Sequence, residues 1–245
     1  MTASAFYLYA VAAEGAPAPG GAGVLPGSAL ALNTAGGATA LISAVPAASF
    51  VGPDAASADW VAARAAAHHT AVTSWHSLTP CLPLGFGTLF GSMASLGTWL
   101  EARAQAIAEG LARLAGREEW VLRLPSGQAE AAAWALAHDP DCVALAAASA
   151  AASPGRAVLL AKQAGRLAQA RGAARVAEAA DATAACLAAQ GMDPVAETPP
   201  ANAARAWRLL CQRAARPALP SGACLRLSGP FAPYGFARAA LQGVA

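Results

Sequence analysis

The chain has 245 residues, 56% of them hydrophobic and 12% charged, with a formal net charge of +2. This excludes a disordered chain, which needs low hydrophobicity and high charge, and the length suits one large domain or two small ones. Much of the apolar count is alanine, a strong helix former with little burial energy, so the composition points to many Ala-rich helices and away from a membrane protein.

Residues 6–11 (FYLYAV) are aromatic and β-branched and predict a strand. Residues 14–23 (EGAPAPGGAG) predict a loop, because proline removes donors and glycine permits unusual dihedrals. A weaker strand falls in 28–33, and 38–45 (ATALISAV) predict another, stopped by Pro46. Residues 54–77 predict a helix, capped by Asp54 or Ser57, with Trp60, Val61 and Val72 as apolar contacts. The apolar run 81–86 predicts a short buried strand. In the next segment Leu96, Trp99, Leu100, Ile107, Leu111 and Leu114 recur near a 3.6-residue period, which predicts one amphipathic helix ending at Gly116. Residues 119–124 (EWVLRL) alternate and predict a strand, stopped by Pro125.

Residues 126–190 read as almost wholly helical, in segments 128–138, 141–151 and 157–190, with Pro154 suited to a first helical turn. A Pro-bearing linker, 192–200, follows. Residues 203–210 are ambiguous between helix and strand, 223–227 (ACLRL) predict a strand, and GPFAPYGFA closes the chain over 229–237. The fold class expected is α+β. Residues 1–125 form a ferredoxin-like domain, two helices over one face of a small sheet, with an added strand or hairpin; 126–245 form a helix-rich α+β domain.

Catalytic and cofactor chemistry finds little to build on. His69 and His76 share a helix face but lie about 10.5 Å apart along its axis, too far for one metal ion. Residues 85–91 (GFGTLFG) have the spacing GxGxxxG and lack the acid that would hold a ribose after a βαβ unit. The single lysine, Lys162, sits in a helix, so no phosphate-binding Walker loop exists. Cys81 has no basic neighbour to activate it, and Glu118 and Glu119, adjacent on a strand, point to opposite faces. No cofactor and no metal are expected. Cysteines 81, 142, 186, 211 and 224 are widely spaced and odd in number, which suits free thiols in a reducing compartment. The best apolar window, 142–152, is too short for a membrane span, and the N-terminus does not read as a signal peptide. Charge is uneven: residues 1–125 carry five Arg against seven acids, and 126–245 carry eleven bases against seven acids, with no acid after Glu197. That asymmetry points either to an electrostatic preference in partners or to a solvated basic face.

Three segments carry a resemblance. They are FYLYAV with its following Gly/Pro loop; Leu82-Pro83-Leu84-Gly85-Phe86-Gly87-Thr88, with Trp60, His68 and His69 upstream and Glu119–Leu124 downstream; and Gly229-Pro230-Phe231-Ala232-Pro233-Tyr234-Gly235-Phe236. In this order the sequence resembles the gas vesicle GvpF/GvpL family, with its "LPxxFGT" turn and "GPWPPYSF"-like closing segment. Gly85 stands where the family often has Arg, and Phe231 and Ala232 replace Trp and Pro.

The resemblance implies a cytoplasmic, non-enzymatic protein of gas vesicle formation with two domains, a ferredoxin-like one followed by an α+β one. It also implies that 201–210 form a strand, and that the partners are the hydrophobic shell protein and other accessory proteins. Leu82, Leu84, Phe86, Gly87 and Thr88, with Gly229, Pro230, Phe231, Pro233, Tyr234 and Phe236, are the candidates for partner binding or interdomain packing. Core packing is the plainer role for Leu82, Leu84 and Phe86. The alternatives are a small-molecule-binding or enzymatic ferredoxin-like protein and an RNA-binding regulator.

Overall fold

A computed structural model describes residues 4–52, 55, 57–192, 194–219 and 225–242. Asp54, Ala223 and Cys224, which entered the predictions above, lie outside them. The elements run β1 (Ser4–Ala13), β2 (Ala31–Ala35), β3 (Ala38–Pro46), α1 (Ala58–Leu78), β4 (Cys81–Pro83), β5 (Leu89–Phe90), α2 (Met93–Ala102) and α3 (Ala104–Leu114). Then come β6 (Arg117–Pro125), α4 (Gln128–His138), α5 (Pro140–Ala150), α6 (Pro154–Ala189), β7 (Val195–Glu197), β8 (Ala203–Gln212), β9 (Arg226–Phe231) and α7 (Tyr234–Gln242). The protein is therefore α+β. It divides into one unit of Met1–Glu119, Leu210–Ala215 and Pro230–Ala245, and a second of Trp120–Leu209 and Arg216–Gly229. The sequence reading cut the chain once, after residue 125.

In the first unit an antiparallel sheet has the order β2-β3-β1-β4, with β5 also on β1. The register of β1 on β3 slips between Leu8 and Ala10, leaving Tyr9 as an extra residue. Such a bulge re-aims the side chains around it. Tyr7, Tyr9, Leu41 and Val45 pack with Ala71, Val72 and Trp75 of α1. Leu8, Val11 and Ile42 pack with Leu96, Leu100, Ile107 and Leu114 of α2 and α3. Neighbouring strand residues point to opposite faces, so α1 covers one face and α2 and α3 the other. The expected arrangement had both helices over one face. Each face of β1 and β3 is apolar, and each needs its own cover.

Helix starts follow local chemistry. Ser57 Oγ accepts the Trp60 N–H at the head of α1, and Ser92 and Ser95 form a reciprocal capping box at α2. The amphipathic helix expected up to Gly116 is two helices, because Arg103 leaves helical geometry (φ −117°, ψ 12°) and its guanidinium lies 4.9 Å over the Trp99 ring. No proline or glycine marks that break, and the apolar period runs through it. On the α1 face the 14–30 loop is tied down from three sides. Trp75 Nε1 donates to the Pro17 carbonyl (2.7 Å), Arg64 donates to the Val24 carbonyl (3.1 Å), and the Val24 N–H donates to the Tyr9 hydroxyl (2.6 Å).

In the second unit α4, α5 and α6 pack through small side chains, with Ala135, Cys142 and Ala168 as a buried cluster. Asp139 caps α5, accepting the Asp141 and Cys142 N–H groups, and Arg171 of α6 pairs with Asp139 (3.3 Å) and Asp141 (3.0 Å). The remaining sheet has the order β7-β8-β6-β9. Local propensity left residues 203–210 undecided. They are strand, as the resemblance implied, because β7 pairs along β8 with Val195 opposite Arg208, and Glu197 and Arg208 form an ion pair. The 192–200 linker thus contains a strand that its prolines concealed.

At Gly172 of α6 a Cβ would lie 2.8 Å from the Ala132 backbone nitrogen and 2.9 Å from the Ala131 carbonyl carbon of α4. Gly172→Ala is expected to destabilise the second unit by about 1–2 kcal/mol. The overpacking outweighs the helix-propensity gain of about 1 kcal/mol. Urea unfolding followed by far-UV circular dichroism measures it.

Candidate interaction site

β4 pairs with β1 by setting Leu82 opposite Val11. Leu82 is fully buried, with its methyls where a Cβ on Gly110 would press, 3.2 Å away. Beyond β4 the Leu84 N–H donates to the Tyr9 carbonyl (2.9 Å). The chain then turns through Gly87, whose φ of +86° favours glycine. Thr88 Oγ1 donates to the Gly85 carbonyl (2.7 Å) and the Leu8 N–H donates to the Thr88 carbonyl (2.9 Å), closing the turn back onto β1. The turn displays Phe86, 37% exposed.

Beneath that turn lies an aromatic cluster centred on Tyr7 and His68. The Tyr7 hydroxyl is 2.9 Å from His68 Nδ1 and accepts the Gly87 N–H at 3.1 Å. With the phenol donating to Nδ1, the hydroxyl uses its donor and one acceptor. The His68 ring stacks on Tyr9 at 5.6 Å and meets Phe86 edge-on at 6.1 Å. Trp60 bridges Phe50 (5.5 Å) and Phe86 (6.4 Å). Burial pushes the His68 imidazole down to about 4, with the Leu84 carbonyl opposing, and pushes the Tyr7 phenol up. Both groups are therefore held neutral.

The closing segment reaches the same helix. Tyr234 lies 6.0 Å from His68 and stacks on His69, also at 6.0 Å, while Phe231 meets His69 edge-on at 6.4 Å. Ala232 and Pro233 are buried, and Phe236 is buried in the α2–α3 core. Pro230 is exposed in β9, and Gly229, with φ +138°, belongs to the second unit. Tyr234 begins α7, whose Gly235 N–H donates to Glu119 Oε2 (2.7 Å). A buried carboxylate at a helix N-terminus meets both the free N–H groups and the positive end of the dipole. Its neighbour Glu118 goes elsewhere, to Arg213 (3.5 Å), and Arg213 also donates to the His76 carbonyl (2.8 Å). Cys81 Sγ is 3.9 Å from His76 Nδ1, and burial pushes the thiol up to about 12 while it pushes the His76 imidazole down. A neutral thiol beside a neutral imidazole is not an activated nucleophile.

The structure thus brings the LPLGFGT turn and the Phe231–Tyr234 segment together on α1, through His68 and His69. Leu82 and Phe236 are core, Leu84 and Tyr234 are half-buried, and Phe86 is the exposed aromatic. Sequence reading did not single out Tyr7, Tyr9, Phe50 or the role of Glu119. Two tyrosines at i and i+2 on one strand were the available signal for the first pair. Among the described residues, no group of three or more His, Cys, Asp or Glu is placed to hold a metal ion.

A family model described as "Gas vesicle synthesis protein GvpL/GvpF" matches residues 5–238. No curated protein matches the sequence. Among solved structures, the gas vesicle protein GvpF from Microcystis aeruginosa is 18% identical with a TM-score of 0.65, over 95% of this chain and 98% of that one. The gas vesicle protein GvpF from Anabaena sp. PCC7120 is 17% identical with a TM-score of 0.69, over 96% of this chain and 98% of that one. At such identity the structural likeness is one of fold.

The neutral His68 couples this cluster to acid. Its pKa is about 4 folded and about 6.5 unfolded, so the unfolded chain binds the extra proton between these values. Stability is full above about pH 6.5 and falls as pH drops toward 4, by roughly 3 kcal/mol from this group; His76 acts in the same direction. His68→Asn is expected to cost about 1–2 kcal/mol at pH 7 and to flatten the decline between pH 6.5 and 4. Urea titrations of both proteins across that range test it.

Proposed function

Because the chain belongs to the gas vesicle synthesis protein GvpL/GvpF family, we propose that it works in vesicle assembly without bond-making chemistry. It binds the hydrophobic shell protein and other vesicle proteins in the cytoplasm and limits their aggregation until they are incorporated. The family match over residues 5–238, far more than one motif, carries this reading.

The physical chemistry of the first unit supports it. A wall that keeps water from gas needs apolar subunits, and an apolar subunit awaiting assembly needs a covering partner. Phe86, with Val51 and Val61, offers exposed apolar surface beside Trp60. Such aromatic and aliphatic residues make good anchors. The titratable groups beneath, Tyr7 and His68, sit in their uncharged forms, which suits packing better than proton transfer. Leu82 and Leu84 then act by positioning the Phe86 turn, and Gly87 and Thr88 by shaping it.

A second reading, small-molecule binding, draws on a cavity of about 920 Å³ in the second unit, lined by Leu124, Trp134, Arg175, Val176, Glu178 and Arg226 among others. A metabolite that strongly raised the melting temperature would favour it.

Co-expression of the full chain with the shell protein tests the leading proposal. The shell protein is expected in the soluble fraction, retained by the tagged chain. A shell protein that stayed insoluble and unbound, whether or not the chain was present, would refute it. Phe86→Ser is expected to weaken retention several-fold and, because the ring also packs on Tyr7, Trp60 and His68, to cost about 1–2 kcal/mol of stability, which urea unfolding measures separately.

A further inference from the structure

We infer that the outer edge of β2 receives an added strand, and that its occupant is an extended, uncharged segment of the shell polypeptide. This rests on the assembly reading above and names the surface it would use.

β2 and β3 are joined by the two-residue loop Gly36-Gly37, with φ of +60° and +74°. Positive φ at both central residues is the type I′ hairpin. In that hairpin the pair flanking the loop, Ala35 and Ala38, is hydrogen-bonded, and bonded and non-bonded pairs alternate from there. Ala31, Asn33 and Ala35 therefore bond to β3, while Leu32 and Thr34 turn their N–H and C=O groups away from it. The Thr34 and Thr39 hydroxyls, 3.2 Å apart, agree, since side chains approach more closely in non-bonded pairs. Among the described residues, no turn, loop or side-chain hydrogen bond engages a backbone group of β2. The edge thus offers two donors and two acceptors in the spacing of an antiparallel partner.

Proteins usually protect such edges with short strands, charges or proline. The other edges here follow that practice. β4 and β5 have three and two residues, and Pro83 ends β4. β7 has three residues and ends in Glu197, paired with Arg208. β9 carries Arg226 and Pro230. β2 has five residues, ALNTA, with neither charge nor proline. Leu32 packs toward the α1-side core and Ala35 toward the α2-side core, so an added strand would lie along apolar or small neighbours on both faces. A charge set against Leu32 or Ala35 would lose hydration there, and the nearby acid Glu101 lies past the strand end, against the Gly36 turn. An apolar subunit with an unpaired strand would otherwise pair with its own copies, and this edge satisfies the same backbone groups while blocking that growth.

The test uses the full chain, wild type and Thr34→Pro, co-expressed with the shell polypeptide and recovered by tag. Proline removes the outward Thr34 N–H and leaves the bonds to β3. Thr34→Ala, which keeps the N–H, controls for the lost hydroxyl. Retention is expected to fall about tenfold for Thr34→Pro and to hold for Thr34→Ala. Amide hydrogen exchange on the wild type gives a reading independent of any variant's folding: the Leu32 and Thr34 amides should exchange fast in the free chain and slow about tenfold in the complex. If wild type binds the shell polypeptide but both amides stay fast, the edge assignment is wrong while the assembly reading stands. If wild type does not bind it, both fall. A dimer of the chain alone, broken by Thr34→Pro, would overturn the assignment in favour of a second copy as occupant.

Discussion

The Tyr7 hydroxyl lies between His68 Nδ1 and the Gly87 N–H, and through it three distant pieces of chain meet: the central strand β1, the helix α1 and the turn after β4. Every group in this contact is neutral, so it needs no counter-ion, and its strength depends on water staying out. The rings of Tyr9, Phe50 and Phe86 around Tyr7 and His68 exclude it. Without the Tyr7 contact the turn would keep its backbone bonds to β1, Leu84 N–H to Tyr9 and Leu8 N–H to Thr88, but would lose the side-chain bond that ties Gly87 to the aromatic cluster.

Around that contact the first unit is covered on both faces and open at one edge. Tyr7 and Tyr9 face α1 by strand alternation, and the β1 bulge at Tyr9 shifts the phase so that Val11 joins Leu8 toward α2 and α3. Once both faces are buried, an exposed backbone surface is left at the sheet edge, and an exposed side-chain surface near Phe86, Val51 and Val61. Protein–protein recognition in general draws on both kinds of surface, one for hydrogen-bond pairing and one for apolar burial. The second unit is held differently, by close approach of alanine-rich helices, with Gly172 set against the α4 backbone. Such packing buries little area per residue but is sensitive to single methyl groups.

Much was legible before any coordinates, wherever a local rule sufficed. The strands β1 and β3, the helix α1 and the three segments of the alanine-rich region follow from apolar patterning, capping and proline position, which act within a few residues of themselves. The GvpF/GvpL resemblance rests on motif order, which holds even where Gly85, Phe231 and Ala232 depart from the family's usual residues. The same motifs marked Phe86, Gly87, Thr88 and Tyr234, though not what each of them touches.

Only the tertiary structure decided the rest, because each remaining feature depends on a partner far away in the chain. Residues 203–212 are strand because β7 supplies hydrogen bonds that local propensity cannot foresee. The helix break at Arg103 carries no glycine or proline. Glu119 caps a helix 116 residues downstream, and His68 is neutral because rings from three other segments bury it. Sequence by itself determined the class of fold, the family and most local elements, since these are sums of short-range preferences. Which faces are covered, which edge is open and which buried groups remain uncharged were settled by long-range burial and hydrogen bonding.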